Sequence, residues 1–310
     1  MNTEPNAVPG ASLDSQAVAP AAISATRLMY WSVRRELWEN RSIYLAPLAA
    51  AAFVLFGFLL STITLPRHMR TALTLDPAKQ HAAIVLPYNV AAALIMLTAV
   101  IVAVFYCLDA LNGERRDRSI LFWKSLPVSD LTTVLSKAFI AIVVLQLASF
   151  AIVVATQTIM LLWHSVILLG SGLSVAPLWT HLSLPQTSLM LLYHLVTVHM
   201  LWYAPIYCWM LLVSAWARRA AFLWALLPVL AILAVEKITF NSMHFGNWLM
   251  YRLTGSAEAV HMASGGTPMD PFTHITLGRF LSTPGLWLGL IVAAAFLFAA
   301  ARLRRYREPI

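Results

Sequence analysis

Nine histidines are the side chains of this sequence best suited to chemistry near neutral pH: His68, His81, His164, His181, His194, His199, His244, His261 and His274. A neutral imidazole is a ready metal ligand and proton carrier. A helical zinc site needs two histidines four residues apart, and no pair here has that spacing. His194 and His199 are five apart, about 140° around an ideal helix, so on regular geometry they occupy different faces. No metal site is expected. Gln146, Gln157, His194 and His199 lie within apolar stretches, and there such groups bond to neighbouring helices or line a polar path. These four are the candidate substrate pathway. The apolar stretches hold no Ser/His/Asp or paired-carboxylate arrangement, so no catalytic residue is assigned. One rival reading keeps a membrane-embedded enzyme with a histidine site on its outer face.

The densest charge lies between Asp109 and Lys137. Glu114, Arg115, Arg116, Asp117 and Arg118 are consecutive ionisable residues, and the apolar run Ile120 to Trp123 follows. Leu126-Pro127-Val128-Ser129 then interrupts any helix, because proline lacks a backbone donor and restricts its predecessor. Ser129 or Asp130 is placed to cap the next helix. The segment reads as a short amphipathic helix, braced by a turn, on the cytoplasmic surface. A nucleotide-binding loop is absent, since such a loop needs a Gly-Lys pair and none of the 12 glycines precedes a lysine.

The elements that must hold these groups follow from composition. Of 310 residues, 60% are hydrophobic and 11% charged, against about a quarter charged in a soluble domain. One water-soluble core cannot hide that much apolar surface. A bilayer core of about 30 Å takes about 20 apolar residues as a helix. Six such runs occur: Leu45 to Leu65, Val90 to Leu108, Ala138 to Trp163, Leu189 to Val213, Ala220 to Val235, and Gly285 to Ala301. The predicted fold is all-α and polytopic, with about six transmembrane helices. With the N-terminus inside, fifteen Lys and Arg fall in inside segments and six in outside segments. Positive charge stays inside, so both termini are expected in the cytoplasm and the chain in a cell or inner membrane.

Residues 1 to 25 hold no Lys or Arg and no long apolar stretch. They read as a disordered tail and not as a secretory signal. Residues 26 to 44 suggest an amphipathic interfacial helix, with Tyr30, Val33 and Leu37 toward lipid and Ser32, Glu36, Glu39 and Asn40 opposite. Arg34 and Arg41 border the apolar side, in reach of lipid phosphates. The six-helix domain covers 45 to 301, with the inside loop 109 to 137 and a long outer segment 236 to 284. A short helix is expected within that outer segment, over Asn247 to Leu253, because structureless loops of that length are uncommon. Residues 302 to 310 form a basic tail. Cys107 and Cys208 read as small packing residues, and Glu236 with Lys237 as a local ion pair. The net charge of +8 is dispersed around apolar runs, unlike a nucleic-acid footprint.

The 109 to 137 segment resembles the inside loop of permease subunits in type-2 ATP-binding cassette (ABC) exporters. That family's pattern is an acidic residue after span two, an apolar run, a Leu-Pro-x-Ser turn and then a lysine. Here those positions are Glu114, Ile120 to Trp123, Leu126 to Ser129, and Lys137. As motif the likeness covers about 25 residues; as layout it covers most of the chain. It implies the permease subunit of an ATP-driven exporter, with Glu114, Arg115, Arg116, Leu126, Pro127 and Ser129 facing a separate ABC ATPase. It also implies a second permease copy or homologue, with ATP and Mg held by the partner ATPase. Another rival is a non-transporting membrane anchor for a cytoplasmic partner.

Overall fold

The computed structural model describes residues 24–117, 128–254 and 277–306, and every regular element among them is a helix. The chain starts with α1 (Ala25–Glu39), capped by the Ser24 side chain. Asn40 ends α1, and α2 (Ser42–Ser61) follows after this break. Next come α3 (Leu65–Leu73) and α4 (Pro77–Asp109), then the short α5 (Asn112–Arg116). A long helix, α6, runs Asp130–Gly170, with a π-helical turn at Ile140–Val144. After α7 (Ala176–His181), α8 (Leu184–His194) continues as a π-helix over Leu195–Trp202 and leads into α9 (Ala204–Trp216). The remaining elements are α10 (Ala221–Phe240), α11 (His244–Thr254), α12 (Leu277–Leu281) and α13 (Pro284–Tyr306).

Five helices are long and apolar enough to cross a bilayer: α2, α4 with α5, α6, α10 and α13. The apolar run Ala176–Trp202 with α9 bends by 43° at Tyr203 and brings the crossings to six if the bent pair is one span. The chain is therefore an all-α polytopic membrane protein. The bend has a local cause. Pro205, in the first turn of α9, has no amide hydrogen, and its ring crowds the carbonyl four residues back. The expected continuous span from Leu189 to Val213 is thus two helices meeting at an angle.

Small residues let the helices approach closely. Ala99, Ala103, Cys107, Ala138 and Ala141 pack around Ile43, Leu145 and Leu211, joining α2, α4, α6 and α9. Ala204, Cys208 and Ala293 do the same between α9 and α13. Both cysteines are free and buried. Only Ala221 is buried along α10, which exposes Phe222, Leu226, Leu230 and Val235. A helix apolar on all sides belongs in lipid or against another apolar surface.

Two expectations about faces change. In α1 Ser32 and Glu36 of the polar side are buried and Glu39 is exposed. Of the side expected toward lipid, Val33 and Leu37 pack against the core and Tyr30 is exposed, as are Trp31 and Trp38. Arg34 lies over the Trp31 ring at 5.2 Å. The reason is charge pairing, because Glu36 meets a buried lysine from α6. Glu236 also differs. Its carboxylate accepts the Phe245 amide at 3.1 Å and the Ser242 hydroxyl at 3.0 Å, so it caps α11. The helix expected at Asn247 to Leu253 is present within α11.

Candidate functional site: a buried charge cluster and the polar groups behind it

The loop segment after α4 is built into the bundle by reciprocal capping. A helix start leaves amide hydrogens unsatisfied and a helix end leaves carbonyls unsatisfied. At the start of α5, the amides of Leu111 and Asn112 donate to the buried Ser214 hydroxyl of α9, at 3.0 and 2.9 Å. At the end of α9, the carbonyls of Ala215 and Ala217 accept from Arg115 Nη1, at 2.9 and 3.2 Å. Arg115 is thereby buried. The expectation that it faces outward fails because the open carbonyls of a helix terminus draw it in.

Glu114 is also turned inward. Its Oε1 lies 3.0 Å from Lys137 Nζ of α6 and 3.6 Å from Arg35 Nη2 of α1, and its Oε2 pairs with Arg304 of α13. Lys137 Nζ is also 2.7 Å from Glu36 Oε1, and Arg35 Nη2 lies 2.8 Å from the same oxygen. Arg304 Nε completes the set with Asp130 Oδ1 at 3.0 Å. Tyr106 of α4 donates to Glu36 Oε2 at 3.1 Å. Among the described residues, three bases meet three buried or half-buried acids, as buried charges require, and the exposed Glu39 adds a carboxylate 3.6 Å from Arg35 Nε. Burial opposes ionisation of Glu36, but Lys137 and Arg35 outweigh it and hold the carboxyl below the ordinary glutamate range.

Of the six residues expected at a partner interface, Arg116 is exposed, at 63% of its side chain. Ser129 caps α6, accepting the Thr132 amide at 3.1 Å. Leu126 and Pro127 lie outside the described residues, as does the apolar run Ile120 to Trp123. The cluster also recruits residues that sequence reasoning passed over. Arg35 and Glu36 on α1, Ser214 on α9 and Arg304 on α13 come from three segments far apart in the chain, and their one sequence signal is charge or hydroxyl placed beside apolar runs.

Further along the bundle, the four pathway candidates fall into separate polar pairs. Gln146 donates to the Tyr207 hydroxyl at 3.3 Å, and its Oε1 is buried with no hydrogen bond among the described residues. Gln157 donates to the Tyr88 carbonyl at 3.2 Å. The Tyr88 hydroxyl in turn bonds His164 Nδ1 at 2.7 Å. His194 and His199 do meet, with ring centroids 5.5 Å apart. The π-helical segment explains this. Its bonds close over five residues, not four, which brings positions five apart onto one side. His199 also contacts the Tyr203 ring, and its Nδ1 is buried without a hydrogen-bond partner among the described residues.

Comparison with protein-family models, with curated proteins and with solved structures finds no match to this chain. Function therefore rests on the geometry. Among the described residues, no group of three or more His, Cys, Asp or Glu is placed to hold a metal ion. At the end of the bundle away from the charge cluster, α11 docks through Arg252. Its guanidinium lies 4.3 Å from the Trp202 ring centroid and donates to the Gly285 carbonyl at 3.0 Å. Trp202 Nε1 returns a bond to the Arg252 carbonyl at 3.1 Å. α11 thus clasps the bent span to α13.

Proposed function

We propose that this chain is the membrane-spanning permease subunit of an ATP-driven ABC-type exporter, working with an ATPase carried on a separate polypeptide. The observation that carries the reading is Glu114. It sits on the short loop helix α5 and is ion-paired at once to α1, α6 and α13. A displacement of that loop by a bound motor is delivered directly to one end of three helices. Arg116, two residues on, is exposed and available to such a partner. ATP and Mg belong to the ATPase, and this chain supplies no chemical step. The loop face is assigned to the cytoplasm of a cell or inner membrane, with both termini on that side. A second copy or homologue completes the pathway, and α10, apolar on every side from Phe222 to Val235, offers it a surface.

Such a device works only if the motor binds two arrangements of the bundle with different strength. The tagged chain, extracted from native membranes, is expected to bring down an ATPase identified by mass spectrometry. Arg116→Glu is expected to reduce that association. Glu114→Gln is expected to keep the association but remove the effect of the permease on ATP hydrolysis. A well-folded chain that retains no nucleotide hydrolase, or hydrolysis indifferent to both variants, overturns the reading.

A further inference from the structure

At the end of the bundle opposite the charge cluster, α2, α3, α4, α6 and α7 line a half-open cavity of about 400 Å³. Small-molecule sites run from about 300 to 1,000 Å³, mostly apolar with a few placed polar groups. This cavity fits that description. Its walls include Phe58, Met69, Ile84 and Leu178, and none of its lining residues is Lys, Arg, Asp or Glu. One buried polar group lines it. His164, 5% exposed, uses Nδ1 to bond the fully buried Tyr88 hydroxyl. Tyr88 is itself fixed by Gln157 through its carbonyl. His164 Nε2 has no hydrogen bond among the described residues, and the Phe58 ring lies against the imidazole with centroids 4.4 Å apart. In a neutral imidazole one nitrogen donates and the other accepts, so the Tyr88 bond orients His164 and sets what Nε2 offers. At the rim, Ser61 and Thr64 are exposed beside α3.

We infer that this cavity binds an uncharged, single-chain lipid bearing a hydroxyl or carbonyl oxygen, with that oxygen on His164 and the chain between α2, α3 and α7. The buried walls hold no charge and His68 is exposed at the rim, so an ionic headgroup drawn inside would lose its hydration with no counter-ion to replace it. A plain hydrocarbon would fill the walls but leave His164 Nε2 without a partner, which costs more than a hydrogen bond gains. The site is independent of any ATPase.

The purified full-length chain in lipid nanodiscs is labelled with a diazirine-bearing long-chain alcohol, and the labelled peptides are mapped. Label is expected on α2, α3 or α7 around Phe58 to Leu75 and Leu178. Unlabelled hexadecanol is expected to compete at least about threefold better than hexadecane, the range of one hydrogen bond. Tyr88→Phe frees His164 to rotate and is expected to weaken competition by the alcohol about threefold to tenfold. Thr64→Trp blocks the exposed rim without touching a buried group and is expected to abolish labelling at these positions. Equal competition by alcohol and alkane, labelling unaffected by Thr64→Trp, or label confined to residues that do not line the cavity would each overturn the assignment. If Tyr88→Phe fails to fold, Thr64→Trp and the alkane comparison decide alone.

Discussion

Lys137→Met is the sharpest probe of the charge cluster. The Lys137 ammonium is 3% exposed and touches two carboxylates, Glu36 at 2.7 Å and Glu114 at 3.0 Å. Methionine keeps the length of the side chain and removes the charge. The cluster then holds three acids against Arg35 and Arg304, and Glu36 is fully buried. Breaking one side of a buried ion pair costs about 3–5 kcal/mol, mostly the penalty of the stranded charge. Two contacts put this variant toward the upper end. For a chain of this size the loss corresponds to a fall in melting temperature on the order of 10 °C. Removing both partners, in Glu36→Gln with Lys137→Met, strands less charge and keeps an acceptor for Tyr106. The double variant is expected to regain more than half of the loss. Cys107 and Cys208 supply the assay, since both are free and buried and the sequence has no other cysteine. A thiol-reactive dye reports their exposure as the detergent-purified protein is heated. The reasoning fails if Lys137→Met costs under about 1 kcal/mol, or if the two substitutions simply add, which would mean the charges do not interact.

Further outcomes follow with the same melting assay. Ser214→Ala leaves the Leu111 and Asn112 amides without their acceptor and is expected to cost about 2 kcal/mol; an unchanged melting temperature would show that the capping is immaterial. Ala220 begins α10 with φ 50°, a left-handed conformation that costs an L-residue about 1–2 kcal/mol. Ala220→Gly is expected to raise the melting temperature by about 2–4 °C, and a decrease would contradict that. A methyl group at Gly289 would sit 1.6 Å from Arg252 Nη2. Gly289→Ala is therefore expected to displace Arg252 from Trp202, costing about 2 kcal/mol, and Arg252→Ala added to it should cost nothing more.

The helices were legible in the sequence because lipid demands long apolar runs, a signal that averages over about 20 residues. What could not be read were the directions of single side chains. Glu36 sits on the polar face of α1, and that face ordinarily points to water. Its partner Lys137 is 101 residues away, so nothing local marks Glu36 as buried. The same holds for Glu114, which looks like one of a run of solvated charges until α13 supplies Arg304 from 190 residues further on. Regular helical spacing separates His194 from His199, and the π-helical segment overturns that separation. Pro205 hints at an irregularity nearby, but proline alone does not specify a five-residue turn. The exposure of Arg116 and the cap at Ser129 are legible because both depend on neighbours within a few residues.

The placement of the π-turn in α6 bears on how the two ends of the molecule communicate. Lys137 lies three residues before Ile140–Val144, while Gln146, Gln157 and His164 lie beyond it on the same helix. A π-turn holds one residue more than an α-turn. The extra residue is absorbed locally, so deleting it restores regular helix and leaves everything downstream facing as before. Deleting Val143 is thus expected to cost no more than about 2 kcal/mol, the packing of one partly buried side chain. Deleting the exposed Ala155 removes less packing, yet it turns residues 156–170 by about 100°. Gln157 and His164 would leave Tyr88, and the cost should exceed about 4 kcal/mol or prevent folding altogether. The melting assay separates the cases, and equal damage from the two deletions would show that the π-turn does not set the register between charge cluster and cavity. If Val143 is dispensable for stability but its loss alters ATP-driven activity, the extra residue serves motion: a turn with one bond displaced bends more readily than regular helix, and this one sits where a shift of Lys137 would be passed on to the polar groups behind it.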